Sequence, residues 1–404
     1  MSEVVLINIT GHDKPGITSS LMSILAEYDV RILDIGQAMI HDTLALGMLV
    51  KIPSEAQTSP VLKDLLFQAH YMDLRVRFTP IGESRYEAWV GSERQPRYVV
   101  TLLGRRVTAE QIARIARVVT ENRLNIEDIV RLSGRSPLHD DDASSRACIE
   151  LTLRGSPLDL DAMKADFLDI SQSLGVDISF QEDNFYRRNR RLVVFDMDST
   201  LIRQEVIDEL AAEAGVRDEV SRVTEAAMRG EIDFKESLRQ RVAALEGLDE
   251  AVLERVAQRL TLNEGAERLV KTLHTLGYRT AVVSGGFTYF GERLRQRLEL
   301  DYVHANELEI RDGKLTGELV GEIVDGEKKA ELLQGLAHRE GISLEQVIAV
   351  GDGANDLPML RLAGLGIAFH AKPLVQKSAR QAISTIGLDG VLYLMGLKDT
   401  ENPH

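Results

Sequence analysis

Short, unbroken runs of apolar residues recur in the second half of the chain, and each of them leads into polar residues. The clearest runs are Leu192–Phe195, 280–283 and 347–350, which are rich in valine. Runs of this length and composition are typical of parallel strands that are covered on both faces. Between them, apolar residues recur with the spacing of helices. This part of the chain, over residues 185–395, therefore predicts an α/β domain with a parallel sheet.

The first 180 residues contain a diverged repeat, in which strands with alternating apolar residues are interleaved with amphipathic helices. Each copy has the order β-α-β-β-α-β, which is that of ferredoxin-like α+β domains. The repeat predicts one such domain over residues 1–82 and another over residues 97–181, joined by the segment 80–96. The strands are expected at 4–9, 31–40, 44–52 and 74–78 in the first copy and at 98–103, 126–132, 147–153 and 176–180 in the second.

Two of the predicted parallel strands lead into acidic residues. Leu192–Phe195 is followed by Asp196 and Asp198, and the run 347–350 opens into a glycine-rich loop with Asp352 and Asp356. The carboxyl ends of parallel strands meet at one edge of an open sheet, where ligands bind. A single Asp-x-Asp is also typical of a capped turn. Two acidic strand ends together favour a site for Mg²⁺, which prefers a few carboxylates and phosphate oxygens.

Other residues in the same half of the chain suit a phosphate group. The run 280–283 ends in Ser284-Gly285-Gly286, which offers a hydroxyl and bare backbone N–H groups. Lys329 opens a helix-like stretch and could neutralise a phosphoryl group. The order of these features along the chain therefore predicts phosphate chemistry next to the metal site.

Composition and charge limit the classes of molecule that the protein is expected to bind. The chain has 404 residues with a net charge of 48 − 63 = −15, which argues against non-specific binding to nucleic acid or to an anionic membrane. No apolar run reaches the roughly 18 residues of a membrane span, and the first residues lack the pattern of a signal peptide. We expect a cytoplasmic protein that binds neither nucleic acid nor membranes. The basic run 187–191 is interpreted as a solvated linker.

The ordered set of Asp-x-Asp, serine, lysine and acidic glycine-rich loop resembles the haloacid dehalogenase superfamily of phosphotransferases. The string 196–200, followed by Glu205, Phe234 and Arg241, is similar to that of the phosphoserine phosphatases in this superfamily. The resemblance covers a little over half the chain. It implies a Rossmannoid parallel sheet with a small helical cap at about 203–262. A hairpin is also expected over 307–318, around Asp312-Gly313.

The resemblance also implies a role for each matching residue. Asp196 would be the nucleophile, and Asp198 the acid and base. Lys329, Ser284 and Gly285 would bind the phosphate oxygens. The Mg²⁺ would be held by Asp196, the Asp198 backbone carbonyl and Asp352, with Asp356 in support, and Asn355 would orient the loop or contact the phosphate.

The cap residues would recognise the other end of the substrate, O-phospho-L-serine. Glu205 would pair with its ammonium, Arg241 with its carboxylate, and Phe234 would cover the pocket. A surface ion pair between Glu205 and Arg241 is the competing interpretation. The implied activity is Mg²⁺-dependent hydrolysis through an aspartyl-phosphate. Phosphoryl transfer to another hydroxyl, or a non-catalytic amino-acid sensor, would be the alternatives.

The N-terminal repeat resembles tandem ACT domains, which bind amino acids and assemble in pairs. The resemblance rests on the turn Asp13-Lys14-Pro15-Gly16, which the second copy lacks. It implies an effector site at Asp13 and Gly16, with L-serine as the expected ligand. A plain helix-entry turn is the alternative. The paired modules imply at least a homodimer.

Overall fold

The computed structural model describes residues 3–54, 58–92, 95–135 and 145–401. The chain divides into two compact units, residues 1–95 and residues 96–404. Among the described residues, no helix combines the length and apolar character needed to cross a membrane.

The first unit is a four-stranded antiparallel sheet with helices, in the predicted order β-α-β-β-α-β. Its strands lie side by side in the order β2-β3-β1-β4. Alternate residues of the inner strands, such as Val5, Ile7 and Ile9, are buried in its core. The joining segment 80–96 contains a further helix that the sequence pattern did not predict. The elements are β1 (Glu3–His12), α1 (Ile17–Glu27), β2 (Arg31–Ile40), β3 (Thr43–Ile52), α2 (Thr58–Tyr71), β4 (Leu74–Ile81) and α3 (Glu83–Ser92).

The second unit begins with another sheet of the same design, with the strand order β6-β7-β5-β8. Its first helix starts at a capping box, in which Thr108 and Gln111 satisfy each other's backbone N–H groups. The strand order repeats that of the first unit, so the two sheets are copies of one ferredoxin-like arrangement. The elements are β5 (Arg97–Gly104), α4 (Ala109–Glu121), β6 (Asn125–Arg131), β7 (Ala147–Arg154), α5 (Leu160–Leu174) and β8 (Asp177–Glu182).

The rest of the second unit is built on a seven-stranded sheet with the order β12-β11-β10-β9-β13-β14-β15. The chain runs outward from β9 through β10 and β11, and then returns to the other side of β9 to form β13. This reversal is the switch point at which open α/β sheets bind their ligands. The strands are β9 (Leu192–Phe195), β10 (Arg279–Phe287), β11 (Tyr302–Arg311), β12 (Lys314–Val320), β13 (Val347–Gly351), β14 (Leu365–Phe369) and β15 (Gln381–Ile383).

Helices flank this sheet, and a separate group of helices follows β9. The expected hairpin is confirmed, because β11 and β12 pair antiparallel around the turn at Asp312-Gly313. The group after β9 consists of α6 (Val206–Ala214), α7 (Arg217–Met228), α8 (Phe234–Ala243) and α9 (Ala251–Arg259), and we call it the cap. The remaining helices are α10 (Ala266–Thr275), α11 (Thr288–Leu298), α12 (Gly326–Arg339), α13 (Leu357–Leu362), α14 (Pro373–Ser378) and α15 (Gly390–Leu394).

The second ferredoxin-like sheet is fixed to the edge of the seven-stranded sheet by buried polar contacts. The Asp177 carboxylate accepts hydrogen bonds from Ser384 N at 2.8 Å and Thr385 Oγ1 at 2.6 Å. The Gln381 amide bonds both backbone groups of Phe180, at 3.1 and 2.8 Å. Such satisfied buried networks hold a fixed arrangement.

The basic run 187–191 is not solvated throughout, as the sequence suggested: Arg188 and Arg191 are exposed, but Arg187 and Arg190 are buried. The Arg187 side chain is only 1% exposed and forms an ion pair with Glu150 on β7. Arg190 is also buried and donates to the Glu345 carbonyl at 3.2 Å. The interpretation was wrong because a run of charge reveals its sign but not its partners, and here those partners lie far along the chain.

Candidate active site

The turn after β9 presents Asp196 and is held by the backbone around it. Asp196 N donates to the Val350 carbonyl at 2.8 Å, which fixes the strand end against β13. The residues that follow, Met197–Leu201, form a π-type turn in which Ser199 has a φ of 55°. Such turns and left-handed residues persist only where other contacts impose them.

Asn263 supplies contacts of this kind. Its Nδ2 donates to the carbonyls of Ser199, Thr200 and Ile202 at 3.2, 2.8 and 3.1 Å. The sequence analysis missed this residue, because a lone asparagine carries no motif. Its amide nevertheless shapes the turn that carries Asp198 towards the cavity.

Lys329 lies between two carboxylates at the centre of the site. Its Nζ is 2.8 Å from Asp196 Oδ1 and 2.7 Å from Asp356 Oδ1, and the lysine is fully buried. Burial disfavours the charged amine, but the two carboxylates outweigh it and raise the pKa of Lys329 above its usual value. The lysine therefore stays cationic where a phosphoryl group would arrive.

Carboxylates crowd together around this lysine. Oxygens of Asp196, Asp352 and Asp356 lie within 4.8 Å of one another. Burial, followed by the charges of Asp196 and Asp356, raises the pKa of Asp352 to about 8. Asp352 Oδ1 accepts a hydrogen bond from Thr200 Oγ1 at 3.3 Å. A hard divalent cation would relieve this crowding, so the donor set fits Mg²⁺.

Asp198 lies in the same cavity with a different environment. Burial, then the charges of Glu205 and Asp196, raises the pKa of Asp198 well above its usual value. A carboxyl group whose pKa is raised in this way holds its proton more tightly, which suits a general acid. A Cβ on Gly286 would lie 2.6 Å from Asp198 Oδ2, so a larger residue there would displace this carboxyl.

The cap closes the other side of the cavity, whose volume is about 180 Å³. Glu205 lies just before α6 and accepts a hydrogen bond from Ser199 Oγ at 2.6 Å. Phe234 and Arg241 lie on α8. The Phe234 ring lies close to Gly285, because a Cβ added to that glycine would be 3.0 Å from Phe234 Cζ. The lining residues are Asp196, Asp198, Glu205, Ile207, Phe234, Leu238, Arg241, Ser284, Gly285, Gly286, Phe287, Asp352, Gly353 and Asn355.

Comparison with known proteins agrees with this geometry. The chain is 42% identical to the phosphoserine phosphatase of Streptomyces coelicolor, over 98% of this chain and 93% of that protein. It is 41% identical to the phosphoserine phosphatase of Mycobacterium tuberculosis, over 97% and 93% of the two chains. The chain belongs to the phosphoserine phosphatase family.

Family models and solved structures extend the comparison. The model of haloacid dehalogenase-like hydrolases matches residues 193–361, and the ACT domain model matches residues 3–79. A probable phosphoserine phosphatase from Vibrio cholerae is 36% identical, covers 76% of this chain and 87% of its own, and has a TM-score of 0.58. A haloacid dehalogenase-family hydrolase from Salmonella enterica is 31% identical, covers 74% and 98%, and has a TM-score of 0.63.

Sequence reasoning anticipated most residues that line this phosphoserine phosphatase cavity. The structure brings Asp196, Asp198, Asp352, Ser284 and Gly285 to one cavity with the cap residues and Asn355. Lys329 lies behind them in contact with Asp196, and Asp356 contacts Lys329 from its other side.

The two residues of the predicted effector turn lie in the first unit. Asp13 N donates to the Asp42 carbonyl at 2.8 Å, and Gly16 has a φ of 94° directly before α1. A positive φ of this size favours glycine over other residues, so the backbone conformation alone accounts for a glycine at this position. The turn therefore needs Gly16 whether or not it binds a ligand.

Proposed function

We propose that this enzyme hydrolyses O-phospho-L-serine to L-serine and phosphate, with Mg²⁺, through an aspartyl-phosphate on Asp196. The observation that carries the proposal is the position of Lys329, within 2.8 Å of Asp196 and 2.7 Å of Asp356 at the switch point of the sheet. The names of the relatives support the substrate.

In the first step, a carboxylate oxygen of Asp196 attacks phosphorus while the bond from phosphorus to the serine oxygen breaks. Asp198 donates its proton to the leaving oxygen, so the side chain of L-serine departs as a neutral hydroxyl and not as an alkoxide. In the second step, Asp198 takes a proton from water as the water oxygen attacks phosphorus. Phosphate leaves and the Asp196 carboxylate is restored.

Charge on the transferring phosphoryl group is met by fixed groups of the protein. The Lys329 ammonium, the Ser284 hydroxyl and the Gly285 N–H would bind its equatorial oxygens, where stabilisation is most effective. Asp196, the Asp198 carbonyl and Asp352 would hold Mg²⁺, with Asp356 supporting them. The ion would supply charge neutralisation for the phosphoryl oxygens.

The cap would select the amino-acid end of the substrate. Glu205 would receive the ammonium, and the Arg241 guanidinium would receive the carboxylate in a bidentate contact. Arg241 Nε donates to the Ser237 carbonyl at 3.3 Å, which directs the side chain along α8. Phe234 would cover the substrate from above.

Phosphate release from a panel of phosphorylated amino acids, sugars and aryl alcohols tests the proposal. We expect O-phospho-L-serine to give the highest kcat/KM with Mg²⁺, and a chelator to reduce turnover by at least about 100-fold, because a lost metal removes several kcal/mol of stabilisation. Adding Mg²⁺ back is the control. Turnover that is insensitive to the chelator would contradict the metal assignment. A phosphorylated second alcohol in place of free phosphate would instead indicate a phosphotransferase.

We further propose that the chain comprises ACT domains at 1–82 and 97–181 and a catalytic domain at 185–395, with the cap at about 203–262. A cytoplasmic location remains a prediction of the sequence.

The homodimer also remains a prediction, supported by the edge strand β2, where Ile35, Met39 and Ile40 are exposed. Light scattering at micromolar concentration should give the mass of two chains, and a single-chain mass would refute the dimer.

L-serine is predicted to bind the first unit at the Asp13–Gly16 turn and to change the activity. The Asp13→Asn variant should raise the serine concentration for half-maximal modulation by about tenfold, because a charge-assisted hydrogen bond to an ammonium contributes about 1.5–3 kcal/mol. The matched control is Glu27→Gln, which removes one exposed carboxylate at the end of α1. Serine can also compete at Glu205 and Arg241. An unchanged serine response in Asp13→Asn would therefore place its site in the catalytic cavity.

A further inference from the structure

The phosphate-binding segment 284–286 bulges out of the register between its strand and the next one. In the pairing of β10 with β11, Val283 lies opposite His304, and Phe287 lies opposite Asn306. Three residues of β10 therefore span a gap that one residue of β11 covers. A bulge frees its peptide groups from the strand ladder, so something else must fix where they point.

Asn306 contacts this bulge from the neighbouring strand. Its Nδ2 donates to the Gly285 carbonyl at 2.8 Å, and its Oδ1 accepts from Val324 N at 2.8 Å. The side chain is only 2% exposed. The N–H and the carbonyl oxygen of this buried amide are both hydrogen-bonded, and its loss would leave the Gly285 carbonyl and the buried Val324 N–H without these partners.

The second contact leads directly to the catalytic lysine. Val324 is followed by Asp325, whose carboxylate caps α12 by accepting from Lys328 N at 2.9 Å. The next residue of that helix is Lys329, whose own N–H donates to the Asp325 carbonyl at 2.9 Å. The Asn306 amide therefore joins the Gly285 peptide to the entry of the helix that carries Lys329.

We propose that Asn306 is a positioning residue, which sets the distance between the Ser284–Gly285 bulge and Lys329. Asn306 is not among the described residues that line the cavity, so it acts through those two elements. The inference rests on the proposed function, because it takes Ser284, Gly285 and Lys329 as the groups that bind the phosphoryl oxygens. Phosphoryl transfer depends on such placement more than on covalent chemistry.

This role predicts that substitutions of Asn306 weaken the binding of the phosphate end of the substrate and not that of its amino-acid end. A loosened bulge would weaken the binding of phosphate oxygens in the ground state and more strongly in the transition state. Glu205 and Arg241 lie on the cap side of the cavity, whereas the hydrogen bonds of the Asn306 side chain run to Gly285 and Val324. Inhibition by inorganic phosphate and by L-serine can therefore separate the positioning role from general destabilisation.

The test uses Asn306→Asp in the full-length enzyme. The aspartate keeps the shape and can still accept from Val324 N, but it places an oxygen against the Gly285 carbonyl. We expect kcat to fall at least about tenfold and the inhibition constant of inorganic phosphate to rise about tenfold. The inhibition constant of L-serine should change by less than about twofold. Asn306→Ser, which is too short to reach both groups, is the second variant.

The matched control is Thr280→Val, which removes a buried hydroxyl from the other end of β10, where Thr280 bonds Asp301 at 3.3 Å. It should lower the melting temperature without changing either inhibition constant. If the Asn306 variants also change only the melting temperature, or if both fail to fold while Thr280→Val folds, the positioning role is overturned. Ser284→Ala is measured in parallel. Unchanged phosphate inhibition in Ser284→Ala would instead contradict the proposed phosphate site itself.

Discussion

The Asp196→Asn variant should lose at least about a thousandfold of its turnover, equivalent to about 4 kcal/mol of transition-state stabilisation. The amide keeps the shape of the side chain but is a poor nucleophile towards phosphorus. Asp196 N would still donate to the Val350 carbonyl, so the strand end should keep its place. Far-UV circular dichroism and the melting temperature should therefore show a folded protein.

A second measurement distinguishes the loss of the nucleophile from the loss of a negative charge beside Lys329. The enzyme is mixed with phosphoserine that is radiolabelled on phosphorus, and the reaction is quenched with acid during turnover. The parent enzyme should carry a labelled phosphate that hydroxylamine releases. Asp196→Asn should carry no label. The matched control is Asp356→Asn, which removes the other carboxylate in contact with Lys329. We expect it to lose about 10- to 100-fold in activity and still become labelled. Turnover of Asp196→Asn within tenfold of the parent would disprove the nucleophile.

The fold could be predicted wherever the sequence pattern has a clear period. The run Leu192–Phe195 forms a fully buried strand, as expected from its lack of polar residues. The alternating strands of the N-terminal repeat pair in the same order in both copies. The helix α3 was missed because it has no buried residue among those described, and therefore no apolar period to detect.

The site residues that could be predicted either follow a buried strand or belong to a short sequence motif. Asp196, Ser284 and Asp352 could be placed together because parallel strands end at a common edge. Asn263 and Asn306 act on backbone carbonyls of segments distant in the chain. No spacing rule connects such residues, so only the folded chain reveals them. The same reason explains why Arg187 was misinterpreted as solvated.

The Arg241→Ala variant should lose kcat/KM mainly towards phosphoserine. The guanidinium lies in the wall of the cavity, and burial lowers its pKa from the usual value. A desolvated, charge-assisted contact with the substrate carboxylate should contribute about 2–4 kcal/mol, or roughly 30- to 1000-fold in kcat/KM. An aryl phosphate has no such carboxylate, and its hydrolysis should change by less than about threefold.

Two further variants make the result specific to Arg241. Arg239→Ala removes an exposed arginine from the same helix and should leave both substrates unaffected. Arg241→Lys keeps the charge but loses the bidentate geometry, so its loss towards phosphoserine should fall between those of the parent and the alanine variant. Equal losses on phosphoserine and on the aryl phosphate would mean that Arg241 supports the cap or binds the phosphate. Substrate selection would then have to come from the other residues on the cap side of the cavity, among them Glu205 and Phe234.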